Sequence, residues 1–312
     1  MGIHTFAPSA ADFCSRAVIR FLSRDRVVAL AKILIQLDSD PHASVFDAVV
    51  AVDAGAERLL QYANVQPEQV RGLVHGAMFT RGPQDLRHTA IFVGGSSVAA
   101  GERTLREVLG AFFGPMRVSV LFDANGANTT AAAAVLACTR HTALERSTAV
   151  VLGATGPVGQ RVVRLLAGAG CRVRAVSREK QRAEEICRQV LQSVPQASLT
   201  GHALSEQTQA LAGAEIVVAA GAAGVTLLSA DQLRQASDIK LVVDLNAVPP
   251  AGIEGVDVMD KAKTRDGILC YGAIGVGGTK MKIHKAAIQR LFEANNLVLD
   301  AEQVFALGRE LE

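Results

Sequence analysis

The sequence predicts an α/β fold that is organised as two lobes. From residue 32 onward, short apolar segments typical of buried strands alternate with amphipathic segments typical of helices. An alanine-rich stretch at residues 128–145 is long enough to form a helix between two lobes. A glycine-rich turn at residues 153–159 joins a strand-like segment to a helix-like segment in the second lobe. This alternation predicts parallel sheets with helices on both faces.

The first lobe is predicted to begin with a strand and to alternate from there. We predict strands at residues 32–37, 89–95 and 117–123, and helices at residues 44–55, 67–74 and 98–113. Ser44 suits the start of the first helix because its hydroxyl can accept a backbone N–H, and Pro67 suits the start of the second. The alanine-rich helix would then leave this lobe, with Asn128 or Thr129 as its cap.

The second lobe has the element order of a Rossmann-type domain. We predict strands at residues 148–152, 171–177, 215–220 and 240–245, with helices at residues 157–169 and 179–192. The chain from residue 272 onward is expected to run as a helix back to the first lobe.

Composition limits the classes of protein that the chain can belong to. A net charge of +2, with 20% charged and 49% hydrophobic residues, fits a globular core and gives no sign of nucleic-acid or anionic membrane partners. Aromatic residues make up 4%, too few to favour stacking on single strands. Five scattered cysteines indicate neither a disulfide framework nor a metal site, and they favour a cytoplasmic location. No apolar run approaches the roughly 20 residues of a membrane span.

Residues 1–29 differ from the rest of the chain. Their arginines alternate with apolar residues, which would fit a basic amphipathic helix or a transit peptide. A poorly ordered extension, or a start site assigned too far upstream, is favoured. The predicted division is therefore this extension, a substrate lobe at residues 30–127 and 279–312, and a Rossmann-type domain at residues 128–278.

The glycine turn predicts a dinucleotide site, with a purely structural turn as the alternative. Gly153 permits a tight turn, Gly156 lets backbone N–H groups approach a pyrophosphate, and Gly159 allows a helix to pack closely on a strand. The N-terminus of that helix adds about half a positive charge. The cofactor contacts predicted around the turn and on neighbouring strands are Gly153, Thr155, Gly156, Pro157, Val158, Gly159, Ala220, Gly221 and Asn246.

The end of the strand after the turn favours NADP over NAD. An NAD enzyme usually carries Asp or Glu there, to bind the ribose 2′-hydroxyl. This sequence has Ser177 and Arg178, while Glu179 comes late and begins the next helix. A hydroxyl and a guanidinium suit a 2′-phosphate. Ser177, Arg178 and Lys180 are therefore the predicted contacts; the alternative for Arg178 is a solvated surface position, and NAD stays open as a second cofactor.

Polar side chains stand where strands of the first lobe are predicted to end. Asp38 follows the first strand, and Asp123, Asn125 and Asn128 follow the third. Ligands of open α/β sheets bind outside the carboxyl ends of the strands. We therefore predict that these four residues bind substrate, with helix capping as the alternative for each.

A lysine late in the chain is a candidate for the same cleft. Lys280 follows the glycine-rich segment GAIGVGGT and is predicted to start the last helix. Lys282 and His284 are assigned to the surface.

Six blocks of sequence between residue 32 and the C-terminus resemble one family. They are SVFDAVVAVDAGAE, TAIFVGGSSVAAGER, FFGPMRVSVLFDANGANTTAAA, ATGPVG, DLNAVPPAGI and GAIGVGGTKMKIHKA. In this order they are similar to the NAD(P)-dependent methylene-tetrahydropterin dehydrogenases of bacterial one-carbon metabolism. The resemblance implies reversible hydride transfer from methylene-tetrahydromethanopterin to NADP, with methylene-tetrahydrofolate as the alternative substrate.

The resemblance also implies that Lys280 contacts the pterin as a catalytic residue. The implied reaction needs no general base, because a nitrogen lone pair of the pterin expels the hydride, so the protein chiefly positions the reactants. A carboxylate such as that of Asp47 would favour the developing cation. We expect a small-molecule pterin substrate, a homo-oligomer, no metal, and neither a nucleic-acid nor a membrane partner.

Two other functions compete with this interpretation. A shikimate-type dehydrogenase has a similar two-lobe layout, but it places a Lys–Asp pair in the first lobe, and no lysine occurs between Lys32 and Lys180. An NADP-sensing regulatory protein without catalysis would carry a turn like GATGPVG near its N-terminus. Here about 150 residues precede the turn, which favours the enzyme.

Overall fold

The structure is a computed structural model that describes residues 30–312 together with the first two residues. The predicted N-terminal extension lies outside the described residues, apart from those two. Lys32–Glu312 forms one compact unit.

The first sheet is wholly parallel and lies in the first lobe. Its strands are β1 (Ile33–Leu37), β2 (Arg58–Tyr62), β3 (Thr89–Val93), β4 (Ser119–Phe122) and β12 (Val298–Leu299), in the order β12-β4-β3-β1-β2. The helices that follow them in the chain are α1 (Val45–Asp53), α2 (Pro67–Met78) and α3 (Val98–Gly110). Ser44 caps α1 and Pro67 opens α2, as predicted.

Both faces of the central strand β3 are covered, which explains why this strand is buried at every position and apolar after Thr89. Ile91 and Val93 of β3 pack with α2 and α3, whereas Ala90 and Phe92 belong to the core on the other face. Successive side chains of a strand point to opposite faces, so a strand buried on both sides needs apolar residues at every position.

The second sheet is the Rossmann-type sheet and has the order β10-β11-β9-β8-β5-β6-β7. Its strands are β5 (Thr148–Leu152), β6 (Arg172–Ser177), β7 (Leu199–Ala203), β8 (Ile216–Ala219), β9 (Leu241–Asp244), β10 (Lys263–Arg265) and β11 (Ile268–Tyr271). All neighbours pair in parallel except β10 and β11. Its helices are α5 (Pro157–Gly168), α6 (Lys180–Ser193), α7 (Gln207–Leu211) and α8 (Ala230–Gln235).

One alanine-rich helix, α4 (Ala127–Thr139), connects the two sheets. Residues 131–138 of this helix are fully buried, and their small side chains let three other helices pack closely around it. Those helices are α5, α9 (Ala273–Arg290) and α10 (Ala301–Glu310). The helix is shorter than predicted at its C-terminal end, and its N-cap is Gly126, so Asn128 and Thr129 lie inside the first turn rather than capping it.

The α/β fold class with a Rossmann-type second lobe is confirmed, but several elements differ from the prediction. The C-terminal region forms α9, β12 and α10 in succession instead of one helix. Strands β2, β7 and β10–β12 are additional to the predicted strands. They are short or solvent-facing, so they lack the continuous apolar pattern that marks the central strands. The predicted domain boundaries stay a prediction.

Candidate functional site

A cavity of about 400 Å³ opens at the carboxyl ends of β5, β6 and β8. Eight of the predicted cofactor contacts line it, namely Gly153, Thr155, Gly156, Pro157, Ser177, Arg178, Ala220 and Gly221. Apolar residues that the sequence analysis did not single out complete the wall, among them Leu204, Val225 and Leu227. The end of a parallel sheet beside a glycine turn is where open α/β folds bind dinucleotides.

The glycine turn has the geometry expected of a phosphate-binding turn. Gly153 has a φ of +74°, and a Cβ there would lie 2.7 Å from the backbone nitrogen of Gly221. Gly156 is the N-cap of α5, and a Cβ on Gly159 would collide with the carbonyl oxygen of Gly153. The turn and the end of β8 therefore approach so closely that only glycines fit between them, and the N-terminus of α5 remains open to the cavity.

The end of β6, where the sequence favours NADP over NAD, is followed by an exposed cation. Arg178 lines the cavity with an exposed side chain, and its guanidinium makes no hydrogen bond or ion pair with the described residues. The Ser177 hydroxyl donates a hydrogen bond of 2.6 Å to the carbonyl oxygen of Glu179. Lys180, a predicted contact, does not line the cavity, because its ammonium forms an ion pair with Glu206 at 3.0 Å.

Three other predicted cofactor contacts also lie outside the cavity lining. Val158 packs into the cores of both lobes, and Gly159 is buried against the turn. The side-chain oxygen of Asn246 accepts the N–H groups of Gly224 (3.3 Å) and Val248 (3.0 Å), while its side-chain NH2 group donates to the carbonyl oxygen of Pro250 (2.8 Å). Its side chain therefore holds together the loops that follow β8 and β9 rather than pointing into the cavity.

A second cavity, of about 330 Å³, lies at the carboxyl ends of the first sheet. Its lining combines three charged residues with polar, small and aromatic ones: Asp40, Ser44, Phe46, Asp47, Gly95, Ser96, Asn125, Gly126 and Lys280. The loop after β1, the start of α1, the ends of β3 and β4 and the middle of α9 contribute these residues. The predicted residues Asp47, Asn125 and Lys280 thus share one wall.

Two predicted substrate residues support this cavity from below. Asp38 is fully buried, and its carboxylate accepts the N–H groups of Asp40 (2.9 Å) and Ser44 (3.0 Å). Asp123 is equally buried and accepts two backbone N–H groups at the start of α4, including that of Thr129 at 3.1 Å. Both carboxylates hold a loop or a helix end, so the capping alternative describes their contacts, while their negative charge still acts on the cavity.

Asn128 does not reach the second cavity, contrary to prediction. It is fully buried, and its amide donates to the carbonyl oxygen of Phe122 (2.6 Å) and to Asp300 (2.9 Å). The Arg161 guanidinium donates to the remaining oxygen of the Asn128 side chain. Every polar atom of this side chain therefore has a protein partner, and none is left for a substrate.

Lys280 lies in the second turn of α9 rather than at the start of the last helix. Its ammonium lies over the ring of Phe46, 5.7 Å from the centroid, and the lysine side chain occupies the space that a Cβ on Gly126 would need. Phe46 is 53% exposed, and the sequence analysis missed it because it reads as one more apolar residue of an amphipathic helix. Its position just after the Ser44 cap and beside Asp47 was the signal that could have marked Phe46 as a site residue.

The carboxyl group of Asp47 is strongly perturbed. Its pKa rises from 3.8 to about 6, mainly because burial disfavours the ionised form. The carboxylates of Asp123 and Asp38 raise this pKa further, whereas the hydrogen bond with Ser44 and the charge of Lys280 lower it. Perturbed carboxyl groups of this kind are concentrated at functional sites.

His284 is buried, which corrects its assignment to the surface, whereas Lys282 is exposed as predicted. The imidazole stacks on Phe92 at 5.7 Å, one helical turn after Lys280. Burial lowers the pKa of His284, so the ring is neutral at pH 7. It therefore adds no second cation to the wall that Lys280 occupies.

Other kinds of site have no support among the residues that the structure describes. No group of His, Cys, Asp or Glu side chains in that part of the chain could hold a metal ion. None of the helices described is both long and apolar enough to span a bilayer.

The glycine-turn cavity on one parallel sheet and the lysine–carboxylate cavity on another define a two-lobed dehydrogenase of the dinucleotide-binding class. Solved structures share this fold. Quinate dehydrogenase from Corynebacterium glutamicum in complex with NAD has a TM-score of 0.52 at 14% identity, covering 90% of this chain and 99% of that one. Shikimate 5-dehydrogenase from Listeria monocytogenes, with shikimate and NAD, has the same score and identity over 93% and 99%.

Sequence comparisons assign the family. Residues 45–125 match the family described as methylene-tetrahydromethanopterin dehydrogenase, N-terminal, and residues 135–266 match shikimate / quinate 5-dehydrogenase. The bifunctional protein MdtA of Methylorubrum extorquens is 42% identical over 286 residues, which cover 90% of this chain and 99% of that protein. The NAD(P)-dependent methylenetetrahydromethanopterin dehydrogenase of the same organism is 30% identical, over 89% and 98%. The chain belongs to the methylene-tetrahydromethanopterin dehydrogenase family and is an NAD(P)-dependent oxidoreductase.

Proposed function

We propose that this chain catalyses the reversible transfer of a hydride from methylene-tetrahydromethanopterin to NADP, giving methenyl-tetrahydromethanopterin. The observation that carries the proposal is the second cavity, in which the Lys280 ammonium, the Asp47 carboxyl group and the exposed Phe46 ring meet. The proposal rests on this geometry together with the family membership of the chain. Both favour it over an NADP-sensing regulatory protein without catalysis.

The reaction requires that the reactants are correctly positioned and that a developing positive charge is stabilised. The methylene carbon lies between two nitrogens of the pterin, and one nitrogen lone pair forms a C=N bond as the hydride leaves with both electrons. The product is a methenyl cation, and no proton is transferred. Four carboxyl groups surround the cavity, whose lining contains one ammonium group, that of Lys280. Asp40 and Asp47 line the cavity, and Asp38 and Asp123 lie beneath it. A fixed negative environment of this kind stabilises the cation as it develops.

We assign the orientation of the pterin to Lys280 and Phe46. The ammonium of Lys280 can donate a hydrogen bond to the carbonyl group of the pterin ring. Lys280 belongs to helix α9, and its ammonium lies over the ring of Phe46 from α1. The exposed face of Phe46 suits stacking against a flat heterocycle. Asn125, whose N–H is tied to the Gly95 carbonyl at 2.7 Å, is a further candidate contact.

The residues of the first cavity fit NADP. The close approach of Gly153 and Gly221 leaves a cradle that any Cβ would fill, at the open N-terminus of α5. When bound there, NADP supplies the hydride acceptor at C4 of its nicotinamide. Arg178 would hold the 2′-phosphate, and Ser177 would join it by turning its hydroxyl away from Glu179.

We further propose that the chain acts as a cytoplasmic homo-oligomer. One face of α1 leaves Val45, Val49 and Val52 exposed, and their spacing makes them a continuous apolar stripe. Contiguous apolar surface is commonly buried between subunits. The four described cysteines are free thiols, which suits a reducing compartment. Sedimentation equilibrium at micromolar concentration tests the assembly; a monomer there would contradict it.

The direct test of the proposed function is the absorbance of NADPH. The purified chain is mixed with NADP and methylene-tetrahydromethanopterin, and in parallel with methylene-tetrahydrofolate or with NAD. We expect NADPH to form fastest with the methanopterin substrate and NADP. Faster turnover of the folate would establish the alternative substrate, and no reduction with either pterin would contradict the proposal.

A further inference from the structure

We propose that Arg161, a buried residue of α5, is the positioning residue that fixes the cofactor lobe against the pterin lobe for hydride transfer. Arg161 belongs to neither cavity lining that carries the proposed function. The inference rests on that proposed function for its kinetic readout, and a second readout below is independent of it.

The Arg161 guanidinium makes contacts on both sides of the boundary between the lobes. It is 5% exposed, although it carries a full charge. Within its own helix it donates to the carbonyl oxygen of Pro157 at 3.1 Å. Across the boundary it donates at 3.1 Å to Glu102 of α3 and lies 5.5 Å from the ring centroid of Phe122. It also donates to the side chain of Asn128, in the first turn of the connecting helix α4.

The contacts of Asn128 connect Arg161 to the floor of the second cavity. The backbone N–H of Asn128 is bound by Asp123 at 2.9 Å, and its amide is bound by Asp300, the cap of α10. Asp123 directly precedes the loop that contributes Asn125 and Gly126 to the cavity. A continuous set of hydrogen bonds therefore runs from the glycine-turn helix to the cavity wall that carries the proposed pterin site.

This network is suited to fixing a distance. The guanidinium is planar and presents several donors in a rigid fork, so partners on two lobes fix its position and also the relation between those lobes. Buried, saturated hydrogen-bond networks rigidify the elements that they join. Hydride transfer requires donor and acceptor carbons about 3–3.5 Å apart, so small displacements between the lobes reduce the rate.

The kinetic test compares Arg161→Met, which removes the donors but keeps much of the volume, with Arg161→Lys. We expect Arg161→Met to lower the single-turnover rate of hydride transfer on the order of 10²-fold, with the KM for NADP nearly unchanged. Arg161→Lys should recover part of this loss. With a deuterated methylene group, the primary isotope effect should become more temperature-dependent in Arg161→Met, because the donor–acceptor distance is less well fixed.

Arg164→Gln is the matched control. Arg164 lies on the same helix and also crosses to α10, where it pairs with Glu302 and more distantly with Asp300, at 3.4 Å; it is partly exposed and reaches Asn128 only through Asp300. This variant should keep the rate and the isotope effect of the wild type. A lowered melting temperature in Arg161→Met with an unchanged rate and isotope effect would reduce Arg161 to a structural residue. A raised KM for NADP at unchanged rate would assign it to the cofactor site.

A distance measurement separates this inference from the proposed reaction. Nitroxide labels on cysteines introduced at Glu68 of α2 and Gln189 of α6, with Cys14 replaced by Ser, report the separation of the lobes. We expect a broader distance distribution in Arg161→Met than in the wild type or in Arg164→Gln. If the wild type fails to reduce NADP, the proposed function fails while this result stands. Identical distributions in all three proteins would overturn the positioning role.

Discussion

Replacement of Asp47 by Asn should stabilise the protein at neutral pH while it slows catalysis. The pKa of Asp47 is raised from 3.8 to about 6 in the folded chain, mainly by burial, so the folded state resists ionisation of this group. Below about pH 3 the carboxyl group is protonated in both states and contributes no penalty. As the pH rises to about 6 the unfolded state ionises first, and the free energy of unfolding falls.

The magnitude follows from the change in pKa. Each pKa unit corresponds to about 1.4 kcal/mol, so a change from 3.8 to about 6 destabilises the folded protein by about 3 kcal/mol above pH 6. Asp47 lies in the first turn of α1, where the helix dipole favours a carboxylate by about 0.3–1 kcal/mol, and Asn loses that contribution. The expected net gain in Asp47→Asn is therefore about 2 kcal/mol at pH 8, and close to zero at about pH 3.

Urea unfolding of both proteins across this pH range provides the assay, and kinetics provide the second measurement. Turnover of the wild type should decline below about pH 6 as Asp47 becomes neutral. In Asp47→Asn turnover should be about 10- to 150-fold lower at pH 8, as expected when a charge-assisted interaction is lost, and this decline should be absent. Asp53→Asn, which breaks only an exposed pair with Lys285 at 2.9 Å, is the control and should change stability by less than about 1 kcal/mol. Equal stability of wild type and Asp47→Asn at pH 8 would refute the reasoning.

Three further predictions concern single side chains. Arg178→Ala should raise the KM for NADP about 10- to 150-fold and leave that for NAD nearly unchanged, as measured by initial rates; equal effects would remove Arg178 from the 2′-phosphate site. Lys280→Ala should lower turnover of the pterin on the order of 10²-fold with NADP affinity intact by calorimetry, and a collapse of that affinity would place Lys280 in the cofactor site instead. Gly153→Ala should abolish NADP binding and lower stability by about 1–3 kcal/mol in urea unfolding, because its φ is +74° and the new Cβ meets Gly221; normal binding would show that the turn is not the cradle.

The fold and the cofactor cavity were accessible to sequence reasoning because their signals are local. The turn from Gly153 to Gly159 lies directly between a strand and a helix, so its place at the sheet edge follows from the chain order. Polar residues such as Asp38 and Asp123 were placed correctly at strand ends. Their hydrogen bonds to a loop and a helix end were foreseen only as an alternative.

What the sequence did not reveal depends on contacts between distant segments. A helix was expected from residue 272 onward, but nothing in the sequence explained its glycines: Gly272 and Gly275 let the start of α9 pack against the backbone near Asp260, where a Cβ would collide. From the sequence, His284 was assigned to the surface, but in the structure its ring stacks on Phe92. The role of Arg161 depends on partners in three other elements, and no periodicity in one segment can show that.

The most direct test of the central claim follows the transferred hydrogen itself. Methylene-tetrahydromethanopterin with both hydrogens of the methylene carbon replaced by deuterium is incubated with the chain and NADP, and the reduced cofactor is analysed by mass spectrometry. Direct hydride transfer predicts one deuterium in each molecule of NADPH and the methenyl pterin as the other product. NADPH without deuterium, or no NADPH at all, would contradict the account.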